Sequence, residues 1–234
     1  MSATSTAGPD NGRAGTVIVL GLTGSIGMGK STAAATLRRF RIPLFDADRV
    51  VHRLLGPGGS AVSLVAAAFP GVASVKGGIN RTLLGRRVFS DPEALSRLEQ
   101  IIHPMVAANE KRFLALARGR REPIVVLDIP LLFESGGERR CDYVLVVSAP
   151  RLVQRQRVLR RPGMTERRLT AILDHQMPDR EKRRRADFVL STGLSRNLSS
   201  RRLRAIVRLL THKRSRSRIV RGGQYAFAAK RRRR

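Results

Sequence analysis

The chain is short of acids, aromatics and cysteine, and each shortage excludes something. Among 234 residues, 17 Asp and Glu stand against 46 Lys and Arg, leaving a formal charge of +29. Aromatic residues make up 4% and tryptophan is absent, so a surface that stacks nucleic-acid bases has little to be built from. The single cysteine, Cys141, cannot form an internal disulfide. It reads as a small buried hydrophobe, and a reducing, cytoplasmic location follows. No apolar run reaches the roughly 18 residues of a membrane span, so no membrane partner is expected. The first 16 residues, rich in Ser, Thr, Ala and Gly, lack the apolar stretch of a secretory signal and are expected to form a disordered leader.

What is present fits one α/β domain with insertions or a lid, at 42% hydrophobic residues. The charge is uneven. Between Gly193 and Arg234 there are 15 Lys and Arg and no acid, about half the net charge in the last sixth of the chain. The stretch 211–234 has no clear apolar period, ends in four arginines, and is expected to be a disordered basic tail. Nucleic acid is expected to bind only weakly and electrostatically, through that tail. Spacing gives no oligomeric state beyond a monomer or small homo-oligomer.

Short apolar runs alternate with helical patterns. Strands are expected at residues 16–22, 42–45, 124–129, 143–147 and 188–190. Helices are expected at 31–40, 46–55, 60–69, 81–89, 91–118, 150–161, 165–176, 178–185 and 197–210, with Pro104 breaking or kinking the long one. The strands are continuous apolar runs rather than alternating ones. That predicts an α/β fold with a parallel sheet covered by helices on both faces.

Residues 24–31, GSIGMGKS, have the spacing of a phosphate-binding loop and sit between a strand and a helix. Gly24, Gly27 and Gly29 let the backbone curl so that several amides, that of Met28 included, converge on one anion. The helix start adds its positive dipole end. Lys30 is a point charge for the β- and γ-phosphates, the Ser31 hydroxyl can ligate Mg²⁺, and Thr32 lies within reach of the α-phosphate. ATP and Mg²⁺ are the cofactors this motif calls for.

Asp46 and Asp48 follow the second strand, at the sheet edge where ligands sit in such folds. A hydroxyl that accepts a phosphoryl group needs a carboxylate to orient it and take its proton, and Asp48 is the candidate base. Asp46 is a helper or a helix cap, and capping is an equal reading for either acid. Asp48 and His52, four apart, share a face if a helix begins here. Asp128, closing the third strand, is placed to hold Mg²⁺ through water, or is a loop cap. Gln154, Arg157 and Arg161 fall on a basic helix that reads either as an arginine-bearing lid or as a solvated face.

Several segments together resemble the dephospho-CoA kinase family. They are residues 21–31, Asp46-Ala47-Asp48, Asn80-Arg81, Leu98-Glu99 with His103-Pro104, Pro130-Leu131-Leu132-Phe133-Glu134, Gln154 with Arg157 and Arg161, Gln176, and Ala186-Asp187. The resemblance covers about residues 17–210. It implies a P-loop NTPase core, a helical acceptor-binding region within about 55–118 and a helical lid within about 150–187. It implies transfer of the ATP γ-phosphate to the 3′-hydroxyl of dephospho-CoA, the last step of coenzyme A synthesis. It gives Asp48 the base role and Arg161 a lid role in catalysis beside Lys30, and it places Arg81 and His103 in the acceptor region. Ser191-Thr192 stands where the family often has Asp-Asn, a departure at the edge expected to meet adenine.

Overall fold

The computed structural model describes residues 17–89 and 91–219. Five strands, β1 (Ile18–Thr23), β2 (Leu44–Asp46), β3 (Ile124–Asp128), β4 (Tyr143–Ser148) and β5 (Phe188–Ser191), form one sheet in the order β2-β3-β1-β4-β5. Every pairing is parallel, as the apolar runs predict. Alternate residues of β3 explain why neither face can be polar. Val125 and Leu127 enter one core, while Ile124 and Val126 enter the other. Two aspartates pin the strand starts. The Asp142 and Asp187 carboxylates accept the Val19 and Val144 amides, each at 2.8 Å.

Helix α1 (Lys30–Arg39) packs on one face with α9 (Arg196–Ile219), burying Ala33, Ala34 and Leu37 against Leu203 and Leu210. The other face is covered by α2 (Ala47–Leu55), α3 (Val62–Ala68), α4 (Arg81–Phe89) and α5 (Pro92–Gly119), whose apolar residues join Phe45, Val125 and Leu127. After β4 come α6 (Arg151–Leu159), α7 (Glu166–Asp174) and α8 (Asp179–Arg185).

Most element ends lie within two residues of the sequence reading, and three differences have a clear physical cause. Pro104 does not break α5, which runs on through it. The proline is exposed, so water can take up the carbonyl that its missing N–H leaves free. Helix α6 ends at Leu159, not at Arg161, because Pro162 disfavours helical backbone at the residue before it. Helix α9 continues to Ile219 rather than stopping at Leu210, so the first nine residues of the expected disordered tail are helical. No Gly or Pro interrupts that stretch, and the Thr211 hydroxyl donates to the Val207 and Arg208 carbonyls. The remainder of the tail and the expected leader, 1–16, lie outside the described residues.

Cys141 is half-buried against both the core beneath α2–α5 and the cluster around Leu132, as a small hydrophobe would be. Burial pushes its thiol up to about 12, so it is not a thiolate at neutral pH. Among the described residues no helix is long and apolar enough to cross a membrane.

Candidate active site

The loop after β1 takes the shape its glycines permit. Gly27 and Gly29 lie at φ 76° and 93°, the left-handed region that other residues avoid. A Cβ on Gly24 would stand 2.6 Å from the Val147 carbonyl oxygen, so this position admits no side chain for a different reason, close approach to β4. Lys30 and Ser31 open α1, and their amides have no intrahelical acceptor. Those amides, the helix dipole and the Lys30 ammonium make an anion seat.

Four side chains hold the loop from outside it. The Ile26 peptide is gripped on both sides: Gln176 Oε1 accepts its N–H at 3.1 Å, and Gln154 Nε2 donates to its carbonyl at 2.8 Å. The Thr192 hydroxyl donates to the Met28 carbonyl at 2.6 Å. Arg157 in turn donates through Nη1 to Thr192 Oγ1 at 3.0 Å and through Nη2 to its carbonyl at 2.7 Å. Thr192, read from the sequence only as a departure at the adenine edge, is therefore a hub of the loop's support. Its partner Met28 is 164 residues away, and no spacing rule could have paired them.

Beside the loop lies a cavity of about 350 Å³ lined by Lys30, Ser31, Ala34, Arg38, Asp46, Asp48, Arg49, His52 and Asp128. Strand register explains the convergence. Asp46 pairs with Asp128 across β2 and β3, and Leu22 of β1 pairs with Asp128 on the other side. The parallel sheet thus brings three strand ends to one edge.

The three acids differ in what holds them. Asp46 uses both oxygens within the protein: Oδ1 accepts the Arg49 amide at 3.0 Å as the cap of α2, and Oδ2 pairs with Arg38 at 2.9 Å. Asp128 pairs through Oδ1 with Lys30 Nζ at 2.6 Å. Its burial raises its pKa above the usual carboxylate range; Lys30 pulls it back, and Asp46 and Asp48 push it up again. Asp48, exposed to the cavity, has no hydrogen-bond or ion-pair partner among the described residues.

The remaining candidates are scattered. Arg81 does not line the cavity but reaches its wall, with Nη1 2.8 Å from His52 Nδ1. His103 is exposed on α5 and is not part of the cavity lining. Arg161 is exposed in the turn after α6, while Arg157, one turn earlier, points into the loop support. The two arginines therefore do not share a helical face. Thr32 is exposed in the first turn of α1. Arg38 and Arg49 are cavity residues that the sequence reading passed over. Their only signal was positive charge flanking the Asp-Ala-Asp segment.

Ser31 and Asp128 also suit Mg²⁺. Both offer hard oxygen atoms on the wall of the anion seat. Among the described residues no three His, Cys, Asp or Glu converge as a metal cage. Mg²⁺ at a phosphate site needs none, since it takes one or two protein oxygens and completes its shell with phosphate and water.

A family model described as dephospho-CoA kinase matches residues 18–196. A dephospho-CoA kinase of Paramagnetospirillum magneticum is 61% identical over 165 residues, 70% of this chain and 77% of that protein. One from Rhodospirillum rubrum is 54% identical over 188 residues, 80% of this chain and 89% of that protein. Among solved structures, a Thermus thermophilus protein superposes with a TM-score of 0.69 at 38% identity, covering 84% of this chain and 97% of its own. A Campylobacter jejuni dephospho-CoA kinase shares the fold, with a TM-score of 0.60 at 22% identity over 83% of this chain and 98% of that one. With a matching family model over most of its length and relatives at this identity, the chain belongs to the dephospho-CoA kinase family.

Proposed function

We propose that this chain transfers the γ-phosphoryl group of ATP to the 3′-hydroxyl of dephospho-CoA, with Asp48 as the base. The observation that carries the assignment is the company Asp48 keeps. Among the described residues it is an unpartnered carboxylate, in the same cavity as Lys30 and Ser31 of the phosphate loop. Asp46 and Asp128 are both committed to protein partners, so Asp48 is the acid left to receive a proton.

In the proposed step the acceptor O3′ forms a bond to Pγ as the bond from Pγ to the ADP oxygen breaks. The hydroxyl proton passes to the Asp48 carboxylate. The loop amides and Lys30 hold the phosphates; the Lys30 ammonium has three donors, so it can meet phosphate while keeping its contact with Asp128. Mg²⁺, held by the Ser31 hydroxyl and by Asp128 through water, would neutralise phosphate charge. Arg161 reaches the transferring group only if the segment around 150–187 closes as a lid, which suits its exposed turn. Helices α2–α5 supply the acceptor side, with Arg81 near the cavity and His103 farther out as candidate contacts.

The test is ADP release with MgATP and dephospho-CoA, run beside shikimate and nucleoside monophosphates as competing acceptors. Release with dephospho-CoA alone is expected. Equal release with any of the others would refute the acceptor assignment.

A further inference from the structure

Asp48 and His52 lie one helical turn apart on α2, and both line the cavity. At this spacing the Cβ atoms are about 5–6 Å apart on one helix face. His52 Nδ1 lies 2.8 Å from Nη1 of Arg81, the first residue of α4. A guanidinium donates and never accepts, so Nδ1 must be the accepting nitrogen. The ring is then a neutral imidazole with its one proton on Nε2, and Arg81 is what fixes that tautomer. Nε2 has no protein partner among the described residues, and the side chain is exposed. The pair therefore offers the cavity a single uncharged donor, on the same face as the proposed base.

The chemistry of that donor narrows what it can bind. A phosphate would be served better by the guanidinium of Arg49, which also lines the cavity and has no ion pair among the described residues. A neutral N–H one turn from a base that engages a hydroxyl suits a second, vicinal hydroxyl. Resting on the acceptor assignment above, we infer that His52 is an acceptor-binding residue. Its Nε2–H donates to the ribose 2′-oxygen beside the 3′-hydroxyl that Asp48 engages, and Arg81 is a positioning residue acting through His52. The arrangement selects ribose over 2′-deoxyribose.

The test compares kcat/KM for dephospho-CoA and for its 2′-deoxy analogue, which keeps the 3′-hydroxyl, in the full chain and in His52→Ala and His52→Gln variants. The unaltered chain is expected to lose about tenfold on the deoxy acceptor, the worth of one hydrogen bond. His52→Ala is expected to lose about as much on dephospho-CoA, chiefly through KM for the acceptor, and to show little further loss on the analogue. His52→Gln, which keeps an N–H donor, should recover part of the discrimination. The KM for ATP, unchanged throughout, reports that the phosphate loop is intact. Any intrinsic effect of the missing hydroxyl on sugar shape cancels in the ratio of ratios. Equal losses by His52→Ala on both acceptors, or no discrimination by the unaltered chain, overturns the inference while leaving the kinase assignment standing. Inactivity of the unaltered chain toward dephospho-CoA sinks both.

Discussion

Lys30 Nζ sits 2.6 Å from Asp128 Oδ1, so the loop's own cation is already paired with the carboxylate that closes the neighbouring strand. Asp128 is nonetheless raised above its ordinary value of 3.8, because burial outweighs the help from Lys30. A carboxyl whose folded pKa exceeds its unfolded one stabilises the fold when protonated. That stabilisation is lost as pH climbs from 3.8 through the raised value. At neutral pH the ionised Asp128 is therefore a cost to stability, which its proposed role toward Mg²⁺ would explain. Asp128→Asn is expected to melt no lower than the parent at about pH 7 and to flatten the pH dependence of melting above 3.8. Turnover should fall by about 10–100-fold, as for removal of a group that supports a metal and a phosphate. Thermal melts across pH, read with ADP release, check both halves. A much lower melting temperature would contradict the argument.

Asp48→Asn separates binding from chemistry. The amide fills the same space but cannot take a proton, so turnover should drop by about 10²–10⁴-fold while ATP affinity stays near the parent value. Nucleotide titration and single-turnover phosphorylation are the paired measurements. Near-normal turnover would remove Asp48 from the base role.

Two arginines one turn apart in sequence should give different phenotypes. Arg157 supports the loop through Thr192, so Arg157→Ala and Thr192→Val should both weaken ATP binding, by about threefold to tenfold. The double variant should lose less than the sum of the two single ones, because Arg157 reaches the loop chiefly through Thr192, its direct contact with the Gly27 carbonyl being a long 3.5 Å. Arg161 touches no loop atom in this structure, so Arg161→Ala should lower kcat and leave ATP affinity unchanged. Isothermal titration and steady-state kinetics on the four proteins distinguish the roles.

Two glycine substitutions of opposite sign check the backbone argument. Gly24→Ala would place a Cβ 2.6 Å from the Val147 carbonyl oxygen, which cannot move without the sheet. Destabilisation of about 1–3 kcal/mol is expected. Gly85 lies inside α4, where an added Cβ would meet nothing within 4 Å, and Gly85→Ala should stabilise by about 0.5–1 kcal/mol. Denaturant midpoints decide both.

Cutting the chain after Leu210 removes 10 of its Lys and Arg residues and none of the buried described ones. ADP release should be unaffected, while any binding to duplex DNA, with its steep salt dependence, should vanish. Loss of activity on truncation would mean that the end of α9 supports the site.

The fold and the phosphate loop were legible because local rules govern them. The five apolar runs become the five strands, and the glycine spacing becomes the turn that its positive φ angles require. Asp48 was legible as a candidate, but its freedom was not. Capping of α2 by Asp46 follows the N-cap spacing, but that Arg38 takes its second oxygen while Asp48 stays open is a contact no spacing rule supplies. Arg161 was misplaced by treating a basic run as one helix and overlooking what Pro162 does to the residue before it. Thr192, Gln154 and Gln176 reach the loop from more than a hundred residues away, and such pairings belong to topology rather than to local pattern.

That topology has a consequence for synthesis. The loop motif leaves the ribosome before the residues that hold it. Strand β1 finds its two neighbours only after residues 124 and 143 are made, and the Met28 carbonyl waits for Thr192. A nascent chain halted short of that threonine would carry every letter of the nucleotide motif and still lack the hydroxyl that fastens it, so the loop's full grip on a triphosphate waits for residues made late.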